Sequence, residues 1–269
     1  MTSIVSATLY GGLGNQLFQI AATISFALKH SADFIFKYQV CLGKRPTYWT
    51  NFLHKLLNKT SDTFEPTEYQ IVTEPEYNDM PVSNLVLLDG YFQSPLFFND
   101  YNTQLFQLFD IESHQARIVN QYKLAKSSIS VHFRRGDYKQ LPDCHPILPD
   151  DYYAESIQYI LTCDPTIGTI YYYCEDEDAA DIERVIADFA PLFSGLSWVR
   201  MKADADWEEM ICMSCSKHHV IANSSFSWWG AYFNSRPDKI VCYPAQWFGP
   251  LVPKDVSAMF PEEWIKIWI

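Results

Sequence analysis

The sequence predicts an α/β protein whose parallel sheets are covered by helices on both faces. Three observations predict it. Short runs rich in β-branched and aromatic residues alternate with segments of helical periodicity, the pattern of βαβ units. The composition is globular: 269 residues, 48% hydrophobic and 19% charged, enough for one large domain or two small ones with a real core. Glycine-rich or Asn/Ser-rich turns follow several strands, at the edge where open parallel sheets bind ligands.

The elements follow in order. Ser3–Tyr10 reads as a strand that stops at Gly11-Gly12-Leu13-Gly14. Asn15–His30 reads as a helix, because Leu17, Ile20, Ala21, Ile24, Ala27 and Leu28 recur three or four residues apart. Asp33–Lys37 is a short strand, residues 41–77 carry no clear period, Asn84–Gly90 is a strand, and residues 95–111 suggest helical pieces. The second half is more regular. Strands are expected at Ser127–Phe133, Gly168–Cys174, His219–Ala222 and Lys239–Tyr243, and helices at Asp150–Leu161, Asp178–Phe189, Asp206–Ser214 and Ser225–Phe233. Asp150 stands where a helix cap belongs. The pattern restarts near residue 120, which divides the chain into 1–120 and 121–269.

Twenty Lys and Arg against 32 Asp and Glu leave a net charge of −12, which argues against nucleic acid as a partner. Any basic cluster in such a chain is a candidate anion site. The seven cysteines show no framework. Cys212-Met213-Ser214-Cys215 is the one C-x-x-C, and His218-His219 follows in an apolar segment, so buried free thiols are expected rather than a zinc or redox centre. No signal peptide and no apolar run of membrane-spanning length is evident, which fits a cytoplasmic protein and leaves peripheral membrane association open.

The polar turns carry the chemistry. Arg134 and Arg135 follow a strand, and a guanidinium binds phosphate with two parallel donors and never loses its charge. Arg134 shares parity with His132 and is assigned to the ligand, while Asp137 is either a base or the structural partner of Arg135. Asn223-Ser224-Ser225 leads from a strand into a helix and offers hydroxyls, backbone N–H groups and the positive end of a helix dipole. Trp228 and Trp229 read as core. Gly12 and Gly14 open a turn like the start of G-x-G-x-x-G, with Asp33 placed 19 residues after Gly14, near the spacing of a ribose-binding acid. The third glycine position is Leu17, so a nicotinamide-binding enzyme is the weaker reading. Asp204-Ala205-Asp206 is a D-x-D, as in metal-dependent glycosyltransferases, and Glu175–Asp178 is an acidic run, but acids are common at helix starts.

Three segments together resemble the inverting α-1,2-fucosyltransferases of glycosyltransferase family 11. They are Gly11-Gly12-Leu13-Gly14-Asn15-Gln16-Leu17-Phe18-Gln19, then His132-Phe133-Arg134-Arg135-Gly136-Asp137-Tyr138, and Ile221-Ala222-Asn223-Ser224-Ser225-Phe226-Ser227-Trp228-Trp229-Gly230-Ala231. The resemblance implies a GT-B-type fold of two Rossmann-like domains with sheets facing a cleft. Residues 1–120 would form the acceptor side with the Gly-rich loop, and residues 121–269 would bind GDP-fucose without a metal. It implies that His132, Arg134 and Asp137 lie at the donor site, with Asn223, Ser224, Ser225 and Phe226 near the pyrophosphate and Gly12 and Gly14 approaching the donor. Glu175-Asp176 would occupy the place of an acidic pair contacting guanine or ribose, although Tyr173-Cys174-Glu175-Asp176 departs from the usual Phe-Ser-Asp-Asp, and Ser216 stands where many relatives have Cys. A galactose-containing glycan would be the acceptor. A catalytic domain starting at residue 1, where animal relatives carry a membrane anchor, would suit a bacterial-type cytoplasmic enzyme.

The expected mechanism is physical. Fucose leaves GDP through an oxocarbenium-like state while negative charge grows on the β-phosphate. Arg134 and the groups at Ser224-Ser225 stabilise that charge as a metal would, Asp137 is the candidate base, and Asn15 orients acceptor or phosphate. A non-enzymatic sugar-binding module is the remaining alternative.

Overall fold

The computed structural model describes residues 3–65, 68–77 and 84–268. The chain divides into two compact units, Met1–Glu112 with Ser257–Pro261, and Ser113–Val256 with Glu262–Ile269.

In the first unit β1 (Ile4–Ala7) passes through the Gly-rich turn into α1 (Leu13–Lys29). Strands β2 (Asp33–Phe34), β3 (Gln70–Val72) and β4 (Leu85–Leu88) complete a parallel sheet in the order β2-β1-β4-β3. Burial runs almost all round α1, as expected of a helix that is apolar on every side. Val5, Ala22, Phe26, Val86 and Phe92 pack in one core between helix and sheet. The strand expected over Asp33–Lys37 is split: Asp33–Phe34 joins this sheet, while Phe36–Lys37 pairs with Thr60–Ser61. Residues 66–67, in the stretch with no clear period, and 78–83, just after it, lie outside the described residues. After the helix α2 (Asn102–Leu108) the unit ends at Glu112. The chain returns to it at 257–261, where Met259 and Phe260 are buried and the Ser94 hydroxyl donates to the Ala258 carbonyl.

The division lies inside α3 (Ile111–Tyr122), a few residues before the expected restart at 120. In the second unit β5 (Ser128–His132), α4 (Asp150–Cys163), β6 (Thr169–Tyr173), α5 (Ala179–Leu192) and β7 (Ser197–Arg200) alternate. They are followed by α6 (Asp206–Ser214), β8 (His218–Val220), α7 (Ser225–Tyr232), β9 (Val241–Pro244) and β10 (Ile265–Ile267). The strands form one parallel sheet in the order β7-β6-β5-β8-β9-β10. Strands β7 and β10 at the two edges were not expected from the sequence.

This order sets the site. From β5 the chain builds outward through β6 and β7, then returns to place β8 on the other side of β5. The strand order therefore reverses between β5 and β8, and a crevice opens there at the carboxyl edge. Ile129, Val131, Ile157, Ile170 and Val220 lie in the core below it, so the strands that carry the turns are fixed by packing.

Candidate active site

Both turns that flank the switch point are the ones the sequence singled out. Phe133 continues the β5 ladder by donating its N–H to the Tyr173 carbonyl and is buried, after which the chain leaves the sheet at Arg134. A 3-10 turn, Gly136–Gln140, then curls back. It carries Asp137 beneath Arg134, whose Nη2 donates to Asp137 Oδ1 at 2.6 Å. The other fork of Arg134 donates to Glu175, at the end of β6. Arg135 points elsewhere and donates to Asp150 Oδ1 at 2.7 Å.

Two expectations are corrected here. Asp137 is the partner of Arg134, not of Arg135, because the 3-10 turn that starts at Gly136 folds Asp137 back under the Arg134 side chain. Asp150 does not cap α4: Pro149 holds the cap position and Asp150 is the first helical residue, turned to Arg135.

Tyr138 ties the two turns together. Its ring lies under the Arg134 guanidinium, 5.0 Å from centroid to Cζ, and stacks on His145. Its hydroxyl donates to the Asn223 carbonyl at 3.0 Å, across the switch point. On that side Asn223 is buried, with Nδ2 donating to the carbonyls of Pro146 and Trp247. Ser224 caps α7 by accepting from the Phe226 N–H, and Ser225 opens the helix. The Phe226 ring faces His132, with centroids 5.9 Å apart. Trp228 and Trp229 are buried, as core residues should be.

His132 is buried, and burial together with the nearby Arg134 pushes its imidazole down to about 3, so it is neutral. Its Nδ1 and the Oδ1 of Asn223 have no hydrogen-bond partner among the described residues. Buried polar atoms of this kind are uncommon, and here two of them sit at neighbouring strand ends beside the same crevice.

The acids sort by environment. Asp178 is fully buried and accepts from the Gly136 N–H and from Lys139. Burial alone would raise its carboxyl, yet those two donors hold it below the usual range. A Cβ at Gly136 would overlap the Glu175 carboxylate, so this glycine leaves the carboxylate room to reach Arg134. Asp176 is turned outward onto Arg200 and Lys202 at 2.6 Å each. On α6, Glu209 is partly buried and accepts from the Ala203 N–H, and burial raises its carboxyl to about 7. Lys139 and Glu209 were not picked out by the sequence reading, and Tyr138 and Asp178 appeared there only as members of longer segments.

Other candidates fall apart spatially. Asp204 is exposed and accepts from Gln121, while Asp206 accepts from the Trp207 N–H at the start of α6. Glu175, Glu177 and Asp178 do bring carboxylate oxygens within 4.8 Å of one another, but Arg134 and Lys139 occupy two of them. Buried His218 and His219 are bonded to Asp164, to the Ile240 N–H, to Ser130 and to Asn234. All seven cysteines are free; Cys41 and Cys163 are exposed, contrary to the expectation of buried thiols, and burial pushes the Cys215 thiol up to about 11.

The Gly-rich turn belongs to the first unit. Gly11 has φ +84°, and a Cβ there would meet the Asn15 side chain at 2.7 Å, so this position needs glycine. Gly12 is the extended residue before α1, Gly14 is buried in the first turn, and Asn15 Oδ1 accepts from Gln93 at 3.0 Å. Asp33 does not support the nicotinamide reading. It pairs in register with Ile4, at the start of β1, whereas the glycines follow the end of β1, so the two lie at opposite edges of the sheet.

Residues 184–268 match the family model of glycosyl transferase family 11. An O-antigen biosynthesis glycosyltransferase, WbnK of Escherichia coli, is 28% identical over 82% of this chain and 73% of its own. An alpha-1,2-colitosyltransferase of the same organism is 26% identical over 98% of this chain and 99% of its own. Among solved structures, the fucosyltransferase NodZ from Bradyrhizobium superposes with a TM-score of 0.52 at 13% identity, covering 86% of this chain and 93% of that one. POFUT1 in complex with GDP gives 0.52 at 12% identity, covering 90% and 98%. These structural likenesses show the GT-B-like fold. The match over residues 184–268 and the two curated relatives make the chain similar to glycosyltransferase family 11 and to transferases of the fucosyltransferase type.

Proposed function

We propose that the protein is a metal-independent, inverting glycosyltransferase that moves L-fucose from GDP-fucose to the 2-hydroxyl of a galactoside, making an α-1,2 linkage in glycan, O-antigen or capsule synthesis. The observation that carries this reading is the meeting of the Arg134 turn and the Asn223-Ser224-Ser225 turn at the switch point of one parallel sheet, joined by Tyr138. It combines a fixed cation, hydroxyls and a helix N-terminus, which suits a diphosphate. The family and the names of the relatives support a nucleotide-sugar donor.

Arg134 stabilises the charge that develops on the β-phosphate. A guanidinium has five N–H donors, and Glu175 and Asp137 take one each, so donors remain for the phosphate. Those carboxylates fix the plane of the fork. The reading therefore moves Asp137 from base to positioning residue, and Glu175 from a guanine or ribose contact to the same role. His132, Asn223, Ser224, Ser225 and Phe226 line the donor side, and the first unit, with Asn15, serves the acceptor.

The test is GDP release and linkage-mapped product from GDP-fucose with a panel of galactosides, run beside the colitose donor that the second relative's name suggests. An α-1,2-fucosylated product supports the proposal. Transfer of colitose alone, or of neither sugar, overturns the donor assignment.

A further inference from the structure

The loop between β5 and α4 places a histidine, His145, beside the switch point of the second unit, and its backbone is held from three directions. Within the loop the His145 N–H donates to the Leu141 carbonyl at 2.8 Å. The turn after β9 runs alongside: the Gly249 N–H donates to the Cys144 carbonyl at 2.9 Å, and the Leu251 N–H to the Asp143 carbonyl at 3.0 Å. A Cβ at Gly249 would overlap the Asp143 carbonyl, so this close approach needs glycine. From β8, Asn223 Nδ2 donates to the carbonyl of the next residue, Pro146, at 2.9 Å.

The ring is held as well. It stacks on Tyr138, with centroids 4.7 Å apart and planes at 19°, and Phe248 packs on it at 5.9 Å. Neither ring nitrogen has a hydrogen-bond partner among the described residues. Nδ1 is buried, whereas the residue is only half-buried and Nε2 reaches solvent. A phenylalanine would stack equally well and enclose no polar atom, so packing alone does not call for a histidine here.

Its protonation decides what it can do. Burial holds the imidazole below its usual range; Asp137 opposes this and Arg134 adds to it, so the ring is neutral at pH 7. A neutral imidazole carries one N–H. An enclosed N–H without an acceptor is costly, so the proton is assigned to Nε2 and the bare lone pair to Nδ1. The outward group is therefore a donor, in the field of Arg134 and joined through Tyr138 to the turn that opens α7. Donors gathered around one guanidinium suit a phosphate oxygen, which only accepts, better than a sugar hydroxyl, which also donates. We propose that His145 is a further ligand of the diphosphate: its Nε2–H hydrogen-bonds a β-phosphate oxygen and strengthens as charge grows there. The assignment rests on the nucleotide-sugar reading and adds a residue to it.

Calorimetric affinities for GDP and GMP on the full chain isolate the β-phosphate. His145→Phe keeps the stack and should melt close to wild type. It should weaken GDP about tenfold, as the loss of one hydrogen bond to a charged group does, and leave GMP within about twofold. His145→Gln, whose amide nitrogen can stand near the Nε2 position, should recover most of the loss. In wild type, where no variant has to fold, the His145 Nε2 resonance in ¹⁵N-histidine spectra should shift with GDP and stay in place with GMP. Turnover of GDP-fucose by His145→Phe should fall roughly ten- to a hundredfold. A GDP-specific loss together with the Nε2 shift, in a protein that transfers no fucose, would refute the transferase reading and uphold the contact. A wild-type ratio of GDP to GMP affinity in His145→Phe, or an Nε2 resonance indifferent to GDP, would overturn the contact even in an active transferase.

Discussion

Replacing Arg134 by lysine separates what the residue does for the fold from what it does for the reaction. Lysine keeps the charge but loses the planar fork. In the structure that fork spans two segments, reaching Asp137 at 2.6 Å with one nitrogen and Glu175 with the other. A single ammonium cannot hold both in the same geometry. The side chains of Asp137 and Glu175 are 46% and 40% exposed, so water screens these pairs and each contributes about 1 kcal/mol or less to stability. The folded protein should therefore lose about 1 kcal/mol, a few degrees in melting temperature at most. The transition state should lose much more. A fixed donor aimed at developing charge is worth roughly 2.7–4 kcal/mol, or about 10²–10³ in turnover. GDP release at saturating donor and acceptor, measured beside a thermal melt, gives both numbers. Turnover within threefold of wild type would refute the role of Arg134. A collapse in melting temperature that accounts for the lost activity would make Arg134 a structural residue.

Gly136→Ala should drive the Glu175 carboxylate off Arg134; Glu175 can swing into solvent, so the fold should survive while transfer falls roughly ten- to a hundredfold, and an unchanged rate would show that Glu175 does not position the guanidinium. Glu209 has a folded-state value of about 7 against an ordinary 4.5, so its contribution to stability is fully present below pH 4.5 and is lost as pH rises through 7. Glu209→Gln should flatten that dependence and gain on wild type between pH 5 and 8 by on the order of 1–2 kcal/mol, discounted for partial exposure; a gap in denaturant melts that does not grow with pH would contradict this. Turnover should also survive excess EDTA, and loss of activity restored by Mn²⁺ would return Asp204 and Asp206, or the Glu175–Asp178 run, to consideration.

The sequence showed where the polar turns stand better than how they are wired. Alternating strands and helices announced parallel sheets, and the Arg134 and Asn223 turns stand at strand ends as expected. The parity argument for Arg134 holds only while the chain is extended, however, and the 3-10 turn at Gly136 re-pairs the acids in a way that no alternation rule foresees. The edge strands escaped notice because they are barely buried: Ser197–Arg200 alternates exposed with half-buried residues, and Ile265–Ile267 is three residues long. Among Glu175-Asp176-Glu177-Asp178 nothing local distinguishes the fully buried Asp178 from its exposed neighbours; that difference is made by Gly136 and Lys139, some 40 residues earlier.

The return of residues 257–261 to the first unit matters for engineering. Exchanging the first unit between related chains looks like a single crossover near residue 112, but the chain path makes it a three-piece splice. A donor fragment ending at Glu112 leaves its Ser94 hydroxyl facing a foreign segment in place of the Ala258 carbonyl, and the Met259 and Phe260 retained from the recipient must fit packing they did not evolve with. Truncation before 257 removes β10 from the other sheet as well, so C-terminal deletions should compromise both halves at once. Hybrids that carry the pentapeptide with its own N-terminal half are the ones expected to fold.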